Sequence, residues 1–188
     1  GLAAAARLGA RGYDVTLLER LDRPGGRGRQ FEIDGFTFDS GPTIITAPFI
    51  FEELWEACGR SFSDDVTLKK LDPFYRIVYD DGAHYDAFGD PEKIRAEVAR
   101  ISPGDVAGYE RFERDSARIF DVAFTELANK PHNSVWDLAT LMPRLVRLGG
   151  WRSPYSYVAN RVRDEKLRFA LSFHVVFIGG DPFNTSSF

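Results

Sequence analysis

Glu19, Gly25, Gly26 and Arg27 are the residues of this chain whose types and spacing have the clearest chemical use. Glu19 closes the run Asp14-Val15-Thr16-Leu17-Leu18-Glu19, which reads as a parallel strand covered on both faces. A carboxylate at the carboxyl end of such a strand can accept hydrogen bonds from the two ribose hydroxyls of an adenosine. It would repel a 2′-phosphate, which argues against an NADP-type ligand. Gly25-Gly26 lets backbone come close to a phosphate, and Arg27 adds a charge-assisted donor. Upstream, Gly1 stands where a helix must approach a strand with no Cβ between them. The N–H groups at that helix start suit a pyrophosphate. Alone, a terminal acid is usually a solvated strand end, and a glycine pair is usually a turn. Together, at this spacing, they describe the later half of a dinucleotide-binding βαβ unit. A second phosphate-approach loop so soon after the acid favours FAD over NAD. The opening strand and the first two glycines of a G-x-G-x-x-G fingerprint are expected just ahead of Gly1. The chain is therefore read as part of a longer flavoprotein.

The elements that would position these residues follow from pattern. Gly1 to Leu8 is a helix of small residues, with Gly12 as its left-handed stop. Asp34-Gly35 turns a hairpin between Gln30–Ile33 and Phe36–Asp39. Pro48 to Gly59 reads as a helix. Val66–Leu71, Phe74–Tyr79 and Ala83–Phe88 read as strands, the last two joined at Asp81-Gly82. Asp90-Pro91 opens a helix to about Ile101. Ser102-Pro103-Gly104-Asp105 opens a longer one, reaching towards Asn129-Lys130. Ser134–Leu148 and Asp164–Phe173 complete the helical set, with a turn at Gly179-Gly180-Asp181-Pro182. Two domains emerge: residues 1–65, part of an α/β nucleotide domain, and residues 66–188, a strand patch followed by mostly helix.

Composition narrows the function classes. With 24 basic and 28 acidic residues the formal net charge is −4, so no basic excess points to nucleic acid. One cysteine, Cys58, allows no internal disulfide and no cysteine metal cluster, and it reads as a small core residue. His84, His132 and His174 are too scattered in sequence for metal-ligand spacing, so no metal is expected. No apolar run approaches the roughly 20 residues needed to span a bilayer. A cytoplasmic location is the expectation.

Several motifs then carry a resemblance. Glu19 to Arg27 (ERLDRPGGR) resembles the post-fingerprint motif of the flavin amine oxidase superfamily. Phe36-Thr37-Phe38-Asp39-Ser40-Gly41-Pro42-Thr43 resembles the bacterial phytoene desaturases within it. So do Pro73-Phe74-Tyr75-Arg76, Asp105 to Tyr109, Trp151 to Ser156, and Ser172-Phe173-His174 with Gly179 to Ser187. These matches run the length of the chain in the family's order. The superfamily often has Arg two residues after the ribose-binding acid; here that position is Leu21.

The resemblance implies an α/β fold. Its parts are an incomplete Rossmann-like FAD-binding domain of the GR2 type with a mixed sheet, and a mostly helical, membrane-associating substrate domain. It implies an FAD-dependent oxidoreductase that extends conjugation in a polyene hydrocarbon, phytoene toward neurosporene or lycopene. The flavin would accept hydride from an allylic carbon while a proton leaves its neighbour. A quinone or oxygen would reoxidise it. Gly1, Glu19, Gly25, Gly26, Arg27, Gly41, Pro42 and Thr43 are implied cofactor contacts. Arg152, Tyr155 and His174 are nominated for proton handling. Arg152 as a surface cation, Tyr155 as core packing and His174 as a satisfied histidine in an apolar run stay open, as does a reaction without a protein base. Ser134–Trp151, apolar with interspersed arginines, could lie in a membrane interface on the cytoplasmic face; a helix covering the core is the plainer reading. The competing functions are another flavin oxidase, such as an amine or porphyrinogen oxidase, and a non-catalytic carotenoid- or lipid-binding protein. These 188 residues alone are expected to bind FAD poorly and to be inactive.

Overall fold

A computed structural model describes residues 1–41, 44–122, 134, 136, 143 and 146–186. They fall into two compact units, Gly1–Lys69 and Lys70–Phe188.

In the first unit, α1 (Leu2–Ala10) consists largely of alanine and leucine, which favour helix. It stops at Gly12, whose φ of 85° is left-handed as its position requires. β1 (Gln30–Ile33) and β2 (Phe36–Asp39) pair antiparallel across Asp34-Gly35, with Phe31 opposite Phe38. α2 (Pro48–Ala57) carries proline at its start, where no N–H bond is lost. Its Trp55 ring meets Phe62 of the short α3 (Phe62–Asp65) edge to face at 5.1 Å, and the indole N–H donates to Asp65. Cys58, read as a small core residue, follows α2 and is only half-buried.

Two expected strands are absent. Asp14–Glu19 and Val66–Leu71 have no ladder partner among the described residues, and Leu18 is 89% exposed. The reason is pairing rather than propensity. A strand exists through a neighbour's hydrogen bonds, and β1 and β2 bond only each other. No mixed sheet forms among the described residues; each sheet is a two-stranded antiparallel hairpin.

The second unit holds most of the core. β3 (Tyr75–Val78) and β4 (His84–Ala87) pair antiparallel, turning where Tyr79 N–H donates to the Ala83 carbonyl. α4 (Pro91–Ile101) begins at Asp90, whose carboxylate accepts from the N–H groups of Glu92 and Lys93. A 3₁₀ turn (Pro103–Asp105) leads into α5 (Val106–Phe120). Ser102 stands at the N-cap position, but its hydroxyl donates to Asp105 rather than accepting from a backbone N–H. Residues 123–133 lie outside the described set, and so does any extension of α5 through them. The Ser134–Leu148 segment is described at only a few positions.

α6 (Pro154–Ala159), which periodicity did not reveal, has Ser153 as its N-cap. α7 (Glu165–Ser172) starts at Asp164 and passes into a 3₁₀ helix (Phe173–Ile178) that ends at left-handed Gly179. Tyr85, Val98, Val158, Val162 and Leu167 are the largest fully sequestered side chains, drawn from β4, α4, α6 and α7 and the link between the last two.

Candidate functional site

In the first unit Gly25, Gly26, Arg27 and Gly41 come together at one loop. Gly25 and Gly26 take φ values of 124° and 59°, open to glycine at little cost, and a 3₁₀ turn spans Gly26–Gly28. Gly41, with φ of 100°, packs directly on that loop: a Cβ there would lie 2.4 Å from the Arg27 carbonyl oxygen. Ser40 N–H donates to the Arg29 carbonyl at 2.9 Å, tying β2 to the same segment. The glycine pair, Arg27 and Gly41 are therefore one structural feature. Pro42 and Thr43 lie outside the described residues. A Cβ on Gly1 would meet Leu17 at 3.1 Å, so α1 does approach the segment leading to Glu19 closely. Glu19 is exposed and uses one carboxylate oxygen to accept from Leu21 N–H at 2.9 Å. These features suit a phosphate-bearing cofactor: bare glycine backbone in left-handed conformations, flanking arginines, and an acid on the segment against α1.

In the second unit His174 stands at the wall of a cavity of about 360 Å³ between α5, α6 and the junction of α7 with its 3₁₀ helix. Phe112, Ile119, Tyr157, Val158 and Leu171 supply much of the remaining wall. The His174 ring packs against Tyr75 and Phe177 at 5.7 and 6.4 Å between centroids, and its Nε2 lies 3.4 Å from the Tyr75 hydroxyl. His174 keeps exposed surface, yet its nitrogens face protein, and this decides its protonation. Loss of hydration lowers its pKa below the ordinary histidine value, and a hydrogen bond to the Leu171 carbonyl opposes that only in part. Burial raises the Tyr75 hydroxyl far above its usual range, so it remains a donor at neutral pH. Neutral His174 then accepts at Nε2 and donates to Leu171.

The other two nominated residues lie apart from this cavity wall. The Arg152 guanidinium sits 4.8 Å from the Trp151 ring centroid. Tyr155 packs on Phe183 at 4.9 Å, and its N–H donates to the Pro182 carbonyl. That contact joins the Trp151–Ser156 motif to the Gly179–Ser187 motif, and the Ser186 hydroxyl reinforces it by donating to the Gly150 carbonyl.

Sequence reasoning missed the residues that hold the cavity's walls in place. Asp105 is 3% exposed and accepts from the N–H groups of Arg163 and Asp164, both at 2.8 Å. Burial alone would push its carboxyl up; these donors and the Ser102 hydroxyl outweigh it, and the pKa lies below the usual carboxylate range. At Gly108 a Cβ would fall 2.0 Å from the Arg161 carbonyl oxygen, so α5 touches the link that follows α6 there. Arg161 also pairs with Asp115 at 2.6 Å. The motif Asp105 to Gly108 was visible; its use as a clasp was not, because its partners lie more than 50 residues on. His84, Asp86 and Glu97 also gather ligand-type atoms within 4.8 Å. Both oxygens of Asp86 are held by Arg76, at 2.6 and 2.7 Å, and both of Glu97 by Arg100, at 2.7 and 2.8 Å, so charge is already balanced within this group. No helix among the described residues is long and apolar enough to cross a membrane.

The model of the flavin containing amine oxidoreductase family matches residues 1–188. The chain belongs to that family. Membership brings FAD with it as the cofactor, in keeping with the glycine loop and Glu19. Among curated relatives, the phytoene desaturase (neurosporene-forming) of Rhodobacter capsulatus is 51% identical over 187 residues, covering 100% of this chain and 36% of that protein. The neurosporene-forming enzyme of Cereibacter sphaeroides is 49% identical with the same coverage. A lycopene-forming phytoene desaturase of Pantoea ananas is 42% identical and is matched over 38% of its length. The chain thus spans little more than a third of the relatives it matches. The flavin family accounts for helices beside small antiparallel sheets as part of an α/β domain.

Proposed function

We propose that the full-length protein containing this chain is an FAD-dependent desaturase of a polyene hydrocarbon, converting phytoene toward neurosporene or lycopene. The observation that carries this reading is the end-to-end match, at half identity, to neurosporene-forming phytoene desaturases. The apolar cavity in the second unit supports it. A hydrocarbon offers nothing to hydrogen-bond, so recognition rests on buried apolar area, worth about 25 cal/mol per Å².

In this reading the first unit is part of a Rossmann-like, GR2-type cofactor domain and the second is part of the substrate domain. Gly1, Gly25, Gly26 and Arg27 would hold the pyrophosphate, Glu19 the ribose, and Gly41 with Pro42 and Thr43 the ring system. Bound FAD supplies a two-electron acceptor. The chain's residues supply position and dryness. Phe112, Ile119 and Leu171 exclude water, and loss of hydration biases His174 to a neutral imidazole beside the Tyr75 hydroxyl. Of Arg152, Tyr155 and His174, His174 is the one beside the apolar cavity and the one we assign to proton handling. A quinone or oxygen is the assigned electron acceptor. Contact with the cytoplasmic membrane face is supported by Trp136, Trp151 and Ile178, exposed by 80%, 67% and 87%.

Anaerobic mixing of the purified full-length flavoprotein with phytoene tests the reading. The expected result is bleaching of the flavin band with formation of a conjugated polyene. A flavin that stays oxidised with phytoene, but is reduced by an amine or a porphyrinogen, would replace the reading with a different oxidase.

A further inference from the structure

We propose that the cavity between α5, α6 and the α7–3₁₀ junction is a subsite for one end of the hydrocarbon, and that the α5 wall sets the chain length the protein prefers. This rests on the desaturase reading above. Phe112, Ser116 and Ile119 recur at i, i+4 and i+7 and form one face of α5 turned to the cavity. Tyr157 and Val158 of α6 and Leu171 of α7 stand across from them.

Three features define the occupant. The volume of about 360 Å³ is at the small end for ligand sites, which run from about 300 to 1,000 Å³. It therefore holds a segment of a long polyene rather than the whole. The walls are mostly apolar, and burial biases both titratable wall groups with shifted pKa values, Tyr157 and His174, to their neutral forms. An ionic head group would lose its hydration there without gaining a counter-charge. Ser172, the second serine on the wall, already donates to the Phe169 carbonyl. An unfunctionalised hydrocarbon end is the chemistry that suits such walls. Ser116 is the small side chain on the α5 face, so enlarging it shortens the space available.

The test uses the purified full-length holoprotein and two probes, phytoene and the shorter 4,4′-diapophytoene. Each is scored by kcat/KM, or as a competitor of phytoene where it is not turned over. Ser116→Phe is expected to lower the phytoene-to-diapophytoene ratio by about tenfold or more, since each methylene kept out of the cavity forfeits its burial. Phe112→Ala, which enlarges the same wall, is expected to move the ratio the other way and covers the case in which S116F does not fold. A ratio unchanged in both variants, with wild type active on phytoene, overturns the subsite and leaves the desaturase reading standing. A wild-type flavoprotein that turns over neither hydrocarbon overturns the reading itself.

Discussion

Gly41 shows what a single residue controls here. Its φ of 100° and its contact with the Arg27 carbonyl leave no room for a side chain. Gly41→Ala in the full-length protein should cost about 1–3 kcal/mol in local strain, relieved by displacing the glycine loop. Purified G41A should therefore carry clearly less flavin than wild type; full flavin occupancy would contradict the role assigned to that contact. The three residues nominated for proton handling should separate. His174→Ala should lower kcat by about a hundredfold or more, the usual weight of a positioned acid–base group. Arg152→Ala and Tyr155→Phe should each cost less than about tenfold, because Arg152 lies over Trp151 and Tyr155 packs on Phe183. Equal losses in all three would show that cavity position is not what distinguishes them. At this scale the sequence was most legible where residue type alone limits conformation. Gly12, Gly25, Gly26 and Gly41 all take the positive φ that only glycine adopts freely. Asp105 and Gly108 were not legible in the same way, because their meaning depends on Arg161, Arg163 and Asp164 far along the chain.

Elements with local causes matched expectation, and elements with distant causes did not. The Asp34-Gly35 hairpin, the Asp81-Gly82 turn and the helix after Asp90 are each specified within a few residues. Asp14–Glu19 and Val66–Leu71 have the composition of strands but no partner among the described residues, and a strand cannot be local. α6 escaped notice because six residues are too few for a helical period to show. Asp105 joins the start of α5 to the approach to α7, and this clasp sets a pH dependence. Its carboxyl binds a proton less readily in the folded than in the unfolded state. The stability it contributes is thus complete above its unfolded pKa of about 3.9 and is lost as pH falls through the lower folded value. Asp105→Asn should cost about 1–3 kcal/mol at neutral pH, by weakening the bonds of a buried side chain to two backbone N–H groups. It should also flatten the fall in stability below about pH 4. Chemical denaturation of the full-length protein at pH 7 and pH 3.5 measures both. An unchanged acid slope would show that Asp105 does not carry the clasp.

At the scale of the whole molecule the two units differ in how much they bury. In Gly1–Lys69 the described hydrophobic core is Phe62 alone, while Phe36, Phe38 and Leu18 are exposed by 69%, 52% and 89%. In Lys70–Phe188 a continuous cluster runs from Tyr85 to Leu171. Exposed apolar surface of that extent belongs to surfaces that are covered in use. Expressed alone, these residues should therefore exchange amide hydrogens unevenly. Protection should concentrate in α4 and α7 and be slight in β1 and β2. Equal protection in both units would contradict this division.

The central claim concerns chemistry, and one measurement reaches it most directly. The full-length protein is expressed in cells that make phytoene but cannot desaturate it, and the absorption spectrum of the pigment extract is recorded. Yellow to red conjugated products, with the maximum reporting the number of double bonds added, are the predicted result. Colourless phytoene left unchanged by a protein that still purifies with FAD would contradict the account.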